Sequence, residues 1–106
     1  MTNDLRYLMV LSTCPDADTA RHIADQLVTG RLAACVQLIP DIRSVFRWEG
    51  RVDEAGECLL LIKTGIHCYQ ELENKIKSLH PYELPEIIAV PVIKGLDDYL
   101  SWIDKC

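Results

Sequence analysis

Four consecutive aliphatic residues, Leu59-Leu60-Leu61-Ile62, constrain this chain most. Such a run is too apolar for an exposed sheet edge, so Glu57–Thr64 is predicted as a central strand. The rest of the chain has to supply its neighbours and cover. Leu5–Thr13 is mostly apolar and bounded by Pro15-Asp16, which reads as a buried strand. Asp16 or Asp18 then caps a helix. Its apolar stripe is Ala20, Ile23, Ala24, Leu27 and Val28, and Gly30 stops it. Arg31–Ile39 reads as a second strand ended by Pro40, with β-like sequence resuming over Ser44–Glu49. Gly50, Asp53 and Gly56 punctuate a hairpin loop.

Gly65 leads into a second helix with Tyr69, Leu72, Ile76 and Leu79 on one side. Glu71 and Lys75 form an i, i+4 pair on the outer side. His80-Pro81 ends this helix. Glu86–Ile93 reads as the last strand, and Pro91 within it has no N–H to donate, so the strand belongs at a sheet edge. A short helix, Asp97–Lys105, closes the chain, with acids at its start and Lys105 at its end.

The order strand-helix-strand, strand-helix-strand, helix predicts an α+β fold. It is a ferredoxin-like βαββαβ sandwich with an extra C-terminal helix, in a single domain over residues 1–106. Right-handed crossovers place the first and third strands centrally and the second and fourth at the edges. The second strand and its hairpin carry Val45, Phe46 and Trp48 beyond the reach of a four-stranded core. Either these fold back on their own hairpin, or edges of neighbouring subunits cover them in a closed homo-oligomer. We expect the oligomer.

Composition excludes several classes. A 49% hydrophobic and 25% charged chain is neither disordered nor collagen-like. No apolar run reaches the roughly 18–20 residues that span a bilayer. A net charge of -5 without a basic stripe argues against nucleic acid as a partner. The start, Met1-Thr2-Asn3-Asp4, lacks the layout of a secretory signal, so the expected location is cytoplasmic. The 5 cysteines include no Cys-x-x-Cys pair and read as free thiols of a reducing compartment.

Chemistry-bearing residues are few. There is no Gly-x-Ser-x-Gly, no Gly-rich phosphate loop and no His-Glu-x-x-His, and no nucleophile–base–orienter set can be named. The expected class is therefore non-enzymatic. Cys14 lies between a strand end and a helix start, where N–H groups and the dipole favour a thiolate. The other reading is a small residue packed under the loop. Cys35 and Cys58 read as core residues, Cys68 as a helix residue without a special role, and Cys106 as a disordered terminus. His80 caps a helix end or, with Glu86 held nearby by the stiff double-proline segment, ligates a divalent ion. His22 reads as solvated, and His67 has no partner that sequence can identify. Lys63 in a buried strand either snorkels at an edge or faces an anionic ligand in a cleft.

Five motifs in register resemble the CutA family of divalent-cation tolerance proteins, of the bacterial type. They are Arg31-Leu32-Ala33-Ala34-Cys35, Trp48-Glu49-Gly50, Lys63-Thr64, His80-Pro81-Tyr82 with Pro85-Glu86, and Tyr99-Leu100-Ser101-Trp102. The likeness runs from Val10 to Trp102. It implies a tight homotrimer with edge strands and the long hairpin paired between subunits. It also implies divalent metal, copper among the ions, and an assembly like that of the PII signalling proteins, which bind small ligands between subunits. The copper pattern it implies is a Cys ending the first strand and two His before Pro-Tyr. Here those positions hold Ser12, Leu79 and His80, with Cys14 two residues on and facing the same way as Ser12. The expected metal set is His80, Cys14 and Glu86, with Lys63 and Tyr82 as ligand-cleft candidates. The alternatives are a small-molecule-sensing trimer built on Lys63, Tyr82 and Glu86, or a scaffold without a small ligand.

Overall fold

The structure, a computed structural model, describes residues 5–106. Met1-Thr2-Asn3-Asp4, on which the reading of the chain's start rests, lies outside the described residues. The elements are β1 (Tyr7–Cys14), α1 (Ala17–Thr29), β2 (Cys35–Trp48), β3 (Arg51–Gly65), α2 (Tyr69–Leu79), β4 (Ile88–Pro91) and α3 (Asp97–Ile103), with a 3-10 turn over Ile66–Cys68 before α2. The four strands form one antiparallel sheet in the order β2-β3-β1-β4. The Leu-rich strand is central and the strand carrying Pro91 is an edge, as the sequence requires.

Strand alternation divides the sheet. Val10, Ser12, Cys14, Cys58, Leu60, Ile62 and Thr64 are buried and alternate with less buried neighbours. The apolar members of this set join one core with Ile23 and Leu27 of α1 and Leu72 and Ile76 of α2. Each fully buried Leu or Ile contributes about 1.5–3 kcal/mol. The opposite face carries half-buried Met9, Leu11, Leu59, Leu61 and Lys63.

Asp16 caps α1, its carboxylate accepting from Thr19 N–H at 2.7 Å. The stripe is buried at Ala20, Ile23, Ala24 and Leu27, whereas Val28 is exposed. The stop differs in detail from the expectation. Gly30 is not left-handed (φ -79°); Arg31 is, at φ 60°. Leu72 and Ile76 anchor α2 as expected, but Glu71–Lys75 is not among the ion pairs of the described residues.

Three strand boundaries need correction. β2 is not broken at Pro40 but runs on through a bulge between Ile39 and Ile42. Pro40 has no ladder N–H to lose there, and Asp41 adopts φ 60°, which a short polar side chain tolerates. The hairpin turn is only Glu49-Gly50, both left-handed, as a type I′ turn demands. Asp53 and Gly56 therefore belong to β3, which is longer than predicted. β4 is shorter, at Ile88–Pro91.

The bulge has a consequence for function. Ile39 faces the same side as Leu59, its register partner. Unbroken alternation would put Asp41, Arg43 and Val45 on that side. The extra residue instead places Ile42, Ser44 and Phe46 there, opposite Glu57, Ala55 and Asp53. The hairpin projects, and the radius of gyration of 14.5 Å exceeds the about 13 Å expected for a compact chain of this size. Val45, Phe46, Trp48 and Val52 are exposed along it, as are Ile88 and Val90 on the opposite edge.

Candidate functional site

The bulged hairpin and the Pro81–Glu86 segment enclose a cleft of about 630 Å³, within the range of small-ligand sites. Its floor is Glu57, buried near the middle of β3. Ser44 Oγ donates to Glu57 Oε1 at 2.6 Å, and Tyr82 Oη donates to Glu57 Oε2 at 2.7 Å. A buried carboxylate without such donors would be costly, and two hydroxyl donors offset that cost. Burial pushes the Tyr82 phenol up to about 12, aided by its bond to Glu57 and the charge there. Tyr82 is therefore a hydrogen-bond donor at neutral pH. A carboxylate oxygen pair has about four lone-pair sites, so Glu57 keeps acceptor capacity towards the cleft.

His80 holds the Tyr82 segment against β1. Tyr82 N–H donates to His80 Nδ1 at 3.1 Å, and His80 Nε2 lies 2.7 Å from the Thr13 carbonyl. A backbone N–H can only donate and a carbonyl can only accept. Nδ1 is thus the acceptor, Nε2 carries the hydrogen, and the ring is neutral. Its centroid lies 4.8 Å from that of Tyr82. The ring caps no carbonyl of its own helix. Both nitrogens are engaged in positioning, which leaves no ring lone pair for an ion.

The other expected residues separate. Glu86 lines the cleft with Tyr82. Cys14 does not line it and faces the core beside Cys58, its register partner, as Ser12 does beside Leu60. Burial pushes the Cys14 thiol up to about 12, helped by the nearby Cys58, Asp16 and Glu57. That reverses the thiolate-favouring effect expected of a helix start, because desolvation outweighs the backbone N–H groups. The residues present at Ser12, Cys14, Leu79 and His80 therefore do not fit a metal in the pattern the family resemblance implies. Lys63 lies outside the cleft and donates to Gln37 Oε1 on the half-buried sheet face.

Sequence reasoning missed Glu57 and Ser44. One signal for Glu57 was present. It stands two residues before Leu59, so it shares that leucine's face and needs a polar partner. Nothing local announced Ser44, whose orientation depends on the bulge. Among the described residues, Asp53, Glu57, Glu83 and Glu86 line the cleft against a single cation, Arg47. Three further assignments change. Cys35 is half-buried rather than core. Cys106 is packed rather than disordered, and Cys68 sits beside it in the 3-10 turn. His67, Cys68 and Cys106 form a group of metal-ligating atoms within 4.8 Å of one another, and none of the three lines the cleft.

The model of the CutA1 divalent ion tolerance protein family matches residues 8–106. The chain belongs to the CutA1 family. A divalent-cation tolerance protein CutA of Thermus thermophilus is 47% identical over 95 residues, which cover 90% of this chain and 92% of that one. A solved divalent cation tolerance protein (Cut A1) from Thermus thermophilus superposes with a TM-score of 0.91 at 46% identity, covering 92% of this chain and 95% of the other. A solved CutA from Archaeoglobus fulgidus, described as a periplasmic divalent cation tolerance protein, gives 0.89 at 36% identity, covering 92% and 94%. CutA1 membership supports a role in divalent-ion tolerance. No helix of the described residues is long and apolar enough to cross a membrane.

Proposed function

We propose that this CutA1 protein is a non-enzymatic, cytoplasmic homotrimer that binds divalent cations in the cleft above Glu57. The observation that carries the reading is the cleft's charge: four carboxylates against one guanidinium. Low-dielectric walls focus such a field and concentrate cations. The donors offered are carboxylate and hydroxyl oxygens of Glu57, Glu86, Ser44 and Tyr82, a set suited to divalent ions. Copper is the ion of choice for a test, because the Irving–Williams order ranks Cu2+ highest at a given oxygen or nitrogen site. His80 serves this site by holding the Tyr82 backbone, not by ligation.

The sheet order and element order support the ferredoxin-like description. The exposed apolar residues of the hairpin and of β4 support the trimer, since patches of that kind are rare on monomers.

Calorimetric Cu2+ titration of the wild type, Glu57→Gln and Glu86→Gln tests the cation reading. Both variants are expected to bind at least about tenfold more weakly, the scale on which lost metal partners act. Equal affinity in all three proteins would remove the cleft as the site. Light scattering tests the assembly, with three chain masses expected and one chain mass refuting it.

A further inference from the structure

Where β3 runs into the 3-10 turn, a second chemically distinct cluster forms. Cys68 is buried, and its Sγ lies 3.0 Å from Sγ of Cys106, which follows α3. Thr64 Oγ1 lies 3.6 Å from the same Cys106 sulfur, and Cys68 Sγ lies 3.8 Å from the Arg31 carbonyl. The third member, His67, is placed by a glycine. A Cβ at Gly65 would meet His67 Cε1 at 2.5 Å and Nδ1 at 2.7 Å, so the imidazole lies where only glycine admits it. There a ring nitrogen and the two sulfurs come within 4.8 Å of one another.

We propose that His67, Cys68 and Cys106 form a binding site for a thiophilic cation of the Zn2+ class, separate from the carboxylate cleft and independent of the function proposed for it. Two thiolates and an imidazole are the donor set that selects such ions over oxygen-seeking ones. With Zn–S near 2.3 Å and Zn–N near 2.0–2.1 Å, tetrahedral donors stand roughly 3.5–3.8 Å apart. The sulfurs need to part by less than about 1 Å, and the ring nitrogen needs to close in by up to about 1.3 Å. Cys106 lies beyond the end of α3 and can supply that movement. His67 is exposed, so the fourth position opens to water.

The thiol chemistry agrees. Burial pushes the Cys68 thiol up to about 11, and its bond to Cys106 adds to this. Burial acts on Cys106 in the same sense, yet its contacts with Cys68, the Gly65 backbone and Thr64 hold it below its ordinary value. The two sulfurs lie at hydrogen-bond distance, 3.0 Å apart, and either can donate to the other. A cation takes the place of the hydrogen between them, and the thiol protons pass to solvent.

The test uses the full chain, kept reduced by a phosphine, with Zn2+ and Co2+ as probes. Chelator-competition titration is expected to give one Zn2+ per chain. Co2+ is expected to show the sulfur-to-metal charge-transfer absorption of thiolate ligation. His67→Ala, Cys106→Ser and Gly65→Ala are each expected to weaken Zn2+ binding about tenfold or more while far-UV circular dichroism stays that of the wild type. Gly65→Ala acts without replacing a ligand, by displacing the ring. The proposal fails if the reduced protein shows no charge-transfer band, or if Cys106→Ser binds Zn2+ as tightly as the wild type. Zn2+ binding lost in Glu57→Gln and retained in Cys106→Ser would also overturn it, placing the ion in the cleft.

Discussion

Tyr82 Oη donates to Glu57 Oε2 at 2.7 Å, tying the segment that follows α2 to the middle of β3 across 25 residues of chain. This bond forms one wall of the cleft, and Glu57 has only Ser44 as its other donor among the described residues. Tyr82→Phe leaves half of a buried carboxylate without a partner. The expected cost is about 1–3 kcal/mol in denaturant unfolding. A loss under about 0.3 kcal/mol would show that the carboxylate is not dependent on this donor. Spectrophotometric titration of the wild type should find one tyrosine ionising near 12, and Tyr82→Phe should lack it.

Asp16 supplies the acid sensitivity of α1. Its acceptance of the Thr19 N–H holds its carboxyl below the ordinary Asp value. The folded-state pKa is therefore the lower of the two. The cap's contribution is full above the unfolded value, about 3.9, and fades as pH falls through the folded one. Asp16→Asn keeps an acceptor but not the charge. Compared with the wild type, its thermal midpoint should fall less between pH 5 and pH 2, bounds chosen as roughly one to two units either side of that value. Parallel curves for the two proteins would refute this.

Cys14 should be the slowest thiol to alkylate in the folded protein. It is fully buried, and burial raises its thiol to about 12, so both access and thiolate fraction are low. Half-buried Cys35 and Cys106 should react first. Peptide mass mapping after timed iodoacetamide treatment reads the order directly. Early modification of Cys14 would contradict the packing described for β1.

Gly50 offers a clean test of backbone conformation. It sits at φ 79° in the hairpin turn, and a Cβ there would meet nothing within 4 Å. Gly50→Ala should therefore cost about 1–2 kcal/mol through the left-handed conformation alone. Gly56→Ala, equally open and without a positive φ, should cost little or be neutral. Similar losses in the two variants would mean that the turn is not the source.

Much of the fold was readable because it depends on local pattern. Leu59-Leu60-Leu61-Ile62 demanded the sheet centre, and Pro91 demanded an edge. The spacing of Ala20, Ile23, Ala24 and Leu27 marked the buried face of α1. The site was less legible. Glu86 and Tyr82 line the same cleft, and their closeness in sequence made that grouping readable. Cys14 faces the core and His80 meets the Thr13 carbonyl because strand pairing and a contact across 67 residues are settled far along the chain.

The sequence by itself determined the element order, the core stripes and the family, since each rests on residue spacing within one element. Only the tertiary structure decided which side chains meet. A bulge with one extra residue at Pro40-Asp41 turns Ser44 towards Glu57, and its effect exists only when β3 lies opposite. The Cys68–Cys106 contact joins residues 38 apart, and the nearby His67 ring occupies space that a Cβ at Gly65 would take. Periodicity reports which face of an element is apolar. It carries no information on which atoms another element brings to that face, and the candidate cation sites are made of those meetings.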